Sequence, residues 1–159
     1  MRIIYMHHAE RDIGPNHTDP ILRQEEDITK LGVEQVELLS KKMSKLNLTA
    51  IVTSPYLRCK HTAEIINKYH NVPIIEDERF NESEYHEERV HFLKRNMEAI
   101  DDIYNKYNED DVILCVTSGI NLTAFVCYFY DIEPKNDTPL SQAGDISPVN
   151  FTKGKASLD

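Results

Sequence analysis

The sequence predicts an α/β domain, a largely parallel central sheet with helices on both faces. Three observations predict it. Short apolar runs of β-forming residues recur along the chain, at Ile3–Met6, Ala50–Thr53 and Val112–Thr117. They are apolar throughout rather than alternating, as strands covered on both faces are. Between them lie longer stretches with helical spacing of apolar residues, and strands that alternate with helices imply parallel pairing through crossover connections. With 159 residues and 40% hydrophobic content, the chain can bury one sizeable core, so a single domain over residues 1–159 is expected.

The elements follow in order. Ile3–Met6 reads as a buried strand that stops abruptly at His7 and His8. Arg11–Gln24 holds Gly14, Pro15, Asn16, Asp19 and Pro20 and reads as a loop, and loops leaving a central strand often cover a site. Thr29 reads as a helix start, with Leu31, Val36, Leu39, Met43 and Leu46 on one face. After the strand at Ala50–Thr53, Ser54-Pro55 opens a second helix with proline near its first turn. It runs to about Tyr69, with Leu57, Ala63, Ile66 and Tyr69 inward. Val72–Ile75 is a third strand candidate. Asp77–Glu88 is dominated by acids and reads as loop. Glu87–Tyr107 has helical spacing through Val90, Leu93, Met97, Ile100 and Ile103. Val112–Thr117 is the clearest strand, Ser118-Gly119 turns into a short helix around Asn121–Phe129, Pro134–Gly144 is a polar loop, and Ile146–Phe151 closes with a last strand.

Bulk properties exclude some functions. The formal net charge of −9 disfavours nucleic acid or an anionic membrane as partner, so an anionic substrate needs a local basic pocket. Cys59, Cys115 and Cys127 are odd in number and form no CxxC pair, which points to reduced thiols in a cytoplasmic protein. The first apolar run is too short for a signal peptide. The longest, Leu122–Tyr130, is too short to span a bilayer.

The chemistry is concentrated at strand ends, where an α/β sheet opens its ligand crevice. A neutral imidazole there can accept a phosphoryl group or hold a proton. A metal site is disfavoured, because His7 and His8 are adjacent on a strand end and their side chains should point to opposite faces.

His7-His8-Ala9-Glu10 ends the first strand. Ile28-Thr29-Lys30-Leu31-Gly32 follows, then Thr53-Ser54-Pro55-Tyr56-Leu57-Arg58-Cys59-Lys60-His61-Thr62-Ala63, and finally Val116-Thr117-Ser118-Gly119. Together these resemble the histidine phosphatase superfamily, the group of the cofactor-dependent phosphoglycerate mutases and the compact phosphohistidine phosphatases. The family patterns are Arg-His-Gly/Ala-Glu, Ser-Pro-x-x-Arg-x-x-Gln-Thr-Ala and Val-Ser-His-Gly. The short chain without an inserted cap looks more like the compact branch. The resemblance implies a three-layer αβα sandwich of phosphoglycerate mutase type. It also implies a two-step phosphatase reaction through a phosphohistidine, with no cofactor. The substrate would be a phosphorylated small molecule or phosphoprotein, and inorganic phosphate the product.

Residue by residue, Ala9-Glu10 align when His8 is the nucleophile and His7 stands for the family arginine. The other register, with His7 as nucleophile, puts Met6 at the arginine. Arg58 becomes a phosphate ligand, with a forked guanidinium suited to phosphoryl oxygens. Ser118, at the second family histidine, and Gly119 complete the substrate-binding set with His7. Phe80-Asn81-Glu82 resembles the family's Leu-x-Glu segment, making Glu82 the candidate general acid, with Glu84 as the alternative. Imidazole and hydroxyl are weaker phosphate donors than guanidinium and imidazolium. Losing one preorganised donor costs on the order of 2.7–4 kcal/mol at the barrier. The expectation is therefore a weakened phosphatase or, alternatively, an inactive phosphoryl-binding or regulatory protein. Arg11 and Arg23 on the covering loop are the nearest sources of replacement charge.

Overall fold

The computed structural model describes residues 1–15, 17–141 and 143–153. Strand β1 (Arg2–His7) is followed by helix α1 (Lys30–Met43), β2 (Ala50–Thr53), α2 (Leu57–Asn67), β3 (Ile74–Glu76), α3 (Arg89–Lys106), β4 (Val112–Thr117), α4 (Leu122–Phe129) and β5 (Val149–Thr152). The strands form one sheet in the order β3-β2-β4-β1-β5. All neighbours are parallel except β5, which runs antiparallel to β1.

Both faces of the sheet are covered, which explains the unbroken apolar runs. Ile4 and Met6 of β1 join Val36, Met43, Ala63 and Ile66 of α1 and α2 in one core layer. Ile3 and Tyr5 join Ile100, Ile103 and Phe125 of α3 and α4 in the other. Among the described residues no helix is long and apolar enough to cross a membrane.

The connections locate the crevice. β1 leads through α1 to β2, beyond β4, whereas β4 leads through α4 to β5, on the far side of β1. The chain therefore leaves the adjacent ends of β1 and β4 in opposite directions, and such a switch point leaves a crevice beyond the strand ends. Register pairs His7 with Thr117. The segments entering the crevice are thus those that begin at His8 and Ser118.

Several inward faces differ from the apolar spacing. Leu31, Leu57 and Tyr69 are exposed. The inward positions of α1 are Gly32, Val36, Ser40 and Met43; those of α2 are Arg58, Cys59, Thr62, Ala63, Ile65 and Ile66. In both helices polar or small residues hold inward places, so counting apolar residues shifts the face towards a neighbouring leucine. Pro55 stands just before the cap residue Tyr56, near the first turn as expected, and the helix stops at Asn67. Thr29 does cap α1, its hydroxyl accepting from the Gly32 N–H at 3.0 Å.

Candidate active site

A cavity of about 690 Å³ opens at the switch point, lined by His7, His8, Arg11, Glu82 and Ser118 among others. His8 is held by its backbone first. Its N–H donates to the Thr117 carbonyl at 2.9 Å. The next amide, of Ala9, donates to Thr62 Oγ1 at 3.1 Å, and that hydroxyl donates to the Arg58 carbonyl at 2.8 Å. The Glu10 carbonyl accepts from the Thr29 amide at 2.8 Å. Gly32 lets α1 lie against this segment, since a Cβ there would stand 2.9 Å from the Glu10 carbonyl oxygen.

These contacts fix the ring chemistry of His8. Burial, then the neighbouring His7, push its pKa down to about 3 against the pull of the Ala9 carbonyl. The ring is therefore neutral near pH 7. Its Nδ1 lies 2.7 Å from the Ala9 carbonyl oxygen, which can only accept, so Nδ1 carries the proton and Nε2 keeps its lone pair.

His7 does not point away from His8. Their ring centroids are 4.3 Å apart in an edge-on arrangement, and both rings line the cavity. The expected opposition fails because β1 ends at His7, so His8 has left the strand and its alternation. Burial lowers the His7 pKa, and its buried Nδ1 has no hydrogen-bond partner. Among the described residues no group of three metal-ligating side chains is placed to hold an ion.

Ser118 is 3% exposed, and its Oγ lines the cavity without a partner. The turn beneath it is fixed through the backbone: Tyr5 donates its hydroxyl to the Ser118 carbonyl at 2.8 Å and the Gly119 carbonyl at 3.3 Å. Gly119 lines the cavity beside it.

Arg58 is fully buried, its guanidinium over the Tyr56 ring. Nη1 donates to the Arg23 carbonyl at 3.0 Å. Nη2 lies 3.0 Å from Glu82 Oε1 without the alignment of a hydrogen bond. Glu82 thus covers the guanidinium and takes its place on the cavity wall. Arg23 stands behind, its Nε 3.6 Å from the same carboxylate oxygen, and does not enter. Arg11 does enter; it is the one arginine of the lining, loosely paired with Glu26 at 3.6 Å. Glu84 is exposed and its amide donates to Glu87, so of the two acids only Glu82 reaches the cavity.

The segment carrying Glu82 is clasped by groups the sequence did not single out. Arg95 of α3 donates to the carbonyls of Arg79, Asn81 and Glu82 at 2.6, 2.8 and 3.0 Å, and Asn121 donates to those of Phe80 and Asn81. Arg95 is held in turn by the Glu87 carboxylate at 2.7 Å. Nothing in the helical pattern separates Arg95 from a solvated arginine, because its partners are carbonyls of a distant loop. Of the loops read from the sequence, Arg11–Gln24 gives the cavity Arg11 and Ile13, and the acidic Asp77–Glu88 gives Glu82. Among the described residues Pro134–Gly144 gives Gly144, the wall continuing through Asp145, Ile146 and Ser147.

Comparison with known proteins bears on this geometry. A family model described as histidine phosphatase superfamily (branch 1) matches residues 5–89. The "uncharacterized phosphatase PhoE" of Bacillus subtilis is 36% identical over 74 residues, 46% of this chain and 38% of that protein. The match therefore spans well under half of that relative. Among solved structures, Bacillus stearothermophilus YhfR superposes with a TM-score of 0.72 at 20% identity, over 94% of this chain and 89% of that one. A mycobacterial glucosyl-3-phosphoglycerate phosphatase, Rv2419c, in complex with inorganic phosphate gives 0.74 at 16%, over 95% and 89%. The protein histidine phosphatase SixA complexed with tungstate gives 0.69 at 13%, over 96% and 88%. At these identities the structures share the fold: a mostly parallel sheet with helices on both faces, of phosphoglycerate mutase-like type.

Proposed function

This chain belongs to the histidine phosphatase superfamily (branch 1), and from that premise we propose that it is a phosphatase that takes a phosphoryl group onto His8 Nε2. The observation that carries the reading is the neutral, oriented imidazole of His8, whose Nδ1–H is committed to the Ala9 carbonyl and whose Nε2 is left as a nucleophile at the cavity.

In the first step Nε2 attacks phosphorus in line, the N–P bond forms and the bond to the leaving oxygen breaks. Glu82 is the group that gives the leaving oxygen its proton. In the second step water attacks the phosphohistidine, Glu82 takes the water proton, and the N–P bond breaks to release inorganic phosphate and neutral His8. Ser118 Oγ and His7 Nδ1, both buried and unpartnered, are free to bind phosphoryl oxygens, with the Gly119 turn beside them. Arg58 joins when Glu82 moves towards the leaving group. No cofactor enters these steps. The substrate class is a phosphorylated small molecule or phosphoprotein. A cytoplasmic address for one domain of 159 residues fits the three buried free cysteines.

Two observations favour a second reading, a phosphoryl-binding protein without turnover: Arg58 is engaged by Glu82, and Ser118 supplies only a hydroxyl. Hydrolysis of an aryl phosphate from pH 5 to 8, with acid-quench trapping of labelled phosphoenzyme, separates the two. The phosphatase reading expects turnover and a label that His8→Ala abolishes. It also expects no inflection from His8 itself, which stays neutral well below pH 5. Turnover and label only in a His7→Arg, Ser118→His variant would establish the binding protein. Turnover that survives His8→Ala would overturn the assignment of the nucleophile.

A further inference from the structure

The cavity exceeds what a phosphoryl group alone fills, since volumes of this size hold whole small molecules. What lines the remainder limits the rest of the ligand. Ile13, Ile120 and Ile146 supply apolar wall, and Glu10 and Asp145 supply carboxylates. The Glu10 carboxylate accepts from the Thr29 hydroxyl at 3.3 Å and that of Asp145 from the Ser147 amide at 2.8 Å. Neither is paired to a cation in the described contacts. Arg11 already stands beside Glu26, and Arg58 is buried under Glu82. The field of the whole chain is negative as well, at −9.

On the footing of the phosphoryl site described above, we propose that this protein takes phosphoryl compounds whose other end is cationic, an ammonium or guanidinium. Glu10 and Asp145 are then its specificity-determining residues. A ligand of this kind sets its phosphoryl group against His8, Ser118 and Arg11 and its cation against the Glu10 and Asp145 carboxylates, with a short apolar stem along the isoleucines. A second phosphate or carboxylate on the ligand would meet Glu10 and Asp145, with no cation besides Arg11 among the described lining residues to receive it. Glu10 and Asp145 are exposed on the wall of an open cavity, where like charges in contact repel, and opposite ones attract, by an energy that separates a cationic from an anionic ligand by about tenfold in affinity.

The test uses phosphonates that no phosphatase cleaves, so it reads binding whether or not turnover occurs. The dissociation constants of 2-aminoethylphosphonate, ethylphosphonate and 3-phosphonopropionate are measured by calorimetry on the full chain, with inorganic phosphate alongside. The expected order of affinity is ammonium, neutral, carboxylate, with about tenfold between the extremes. In a Glu10→Gln, Asp145→Asn variant that spread should fall below about threefold. A carboxylate ligand that binds as tightly as the ammonium one overturns the inference, and so does a spread that persists in the variant. Should inorganic phosphate and all three phosphonates fail to bind the wild type, the phosphoryl-site reading falls and takes the inference with it. Phosphate binding with the wrong order overturns the inference alone.

Discussion

The segment that follows β1 and the segment that follows β4 enter the same crevice, yet they are built to different standards. After β1, backbone and side chain are both determined: His8 is held through Thr117, Thr62 and its own Ala9 carbonyl, with α1 pressed against Glu10. After β4 the backbone is equally fixed, by Tyr5, but the side chain of Ser118 has no partner. The His8 ring is thus oriented before any ligand arrives, whereas the Arg58 guanidinium on the proposed phosphoryl side is covered by Glu82. Attack geometry and charge stabilisation are separable parts of such a site, and here the first is the more complete.

The largest expected effect lies outside both segments, in the clasp on residues 79–82 that carry Glu82 into the crevice. The Glu87 carboxylate is held by Arg95 within a pair whose side chains are 7% and 14% exposed. Burial alone would raise its pKa, but the hydrogen bonds from Arg95, the Glu84 amide and His91 hold it at about 2. Arg95→Ala leaves that charge buried and frees the carbonyls of residues 79–82, at a cost of about 3–5 kcal/mol, measurable by urea unfolding at pH 7. The pH dependence has a definite sign. A carboxyl at about 2 in the folded chain and near 4.5 unfolded contributes stability that is complete above pH 4.5 and lost as pH falls towards 2. Arg95→Ala should flatten that part of the stability curve, and an unchanged slope would show that Glu87 does not depend on Arg95.

A smaller effect tests the covered charge of Arg58. Glu82→Gln keeps an acceptor near Arg58 but removes the charge that covers it. Freeing a guanidinium for a charge-assisted bond should tighten inorganic phosphate about tenfold, or 1.4 kcal/mol, while turnover falls because the proposed proton donor is gone. Phosphate calorimetry together with kcat on an aryl phosphate reads both. Loss of turnover with weaker phosphate binding would mean that Glu82 positions Arg58 instead of competing for it.

Much of this was legible in the sequence because it is local. Unbroken apolar runs gave β2 and β4 their limits, the Thr29 cap opened α1, and His8, Arg58 and Glu82 sit in motifs that carry their own spacing. What was not legible depends on residues far apart in the chain. The contact of the His7 and His8 rings follows from where β1 stops, which alternation cannot reveal. The clasp by Arg95 and Asn121 joins α3 and the segment after β4 to carbonyls of residues 79–82, and carbonyls leave no trace in composition. On α1 and α2 the expected inward positions Val36, Met43, Ala63 and Ile66 are buried, but Leu31 and Leu57 are exposed because their neighbours Gly32 and Arg58 take the inward places.

Gly32 gives the finest test of the contrast, because two local rules predict opposite signs there. In an isolated helix Gly→Ala is stabilising by about 1 kcal/mol, and Gly32 lies in the first turn of α1. Its Cβ, however, would come within 2.9 Å of the Glu10 carbonyl oxygen and 3.2 Å of the Glu10 nitrogen. Both are backbone atoms, and the Glu10 oxygen is already engaged by the Thr29 amide, so relief requires the whole His8–Glu10 segment to move. Overpacking of this sort costs about 1–3 kcal/mol, which outweighs the helical gain and leaves Gly32→Ala destabilised by roughly 1 kcal/mol. The displacement falls on the residues that orient His8, so formation of the labelled phosphoenzyme should slow more than the loss of stability explains. Tyr5→Phe, acting on the other segment, provides the control. If Gly32→Ala is instead more stable and labels normally, the segment after β1 tolerates displacement and is no better determined than the one after β4.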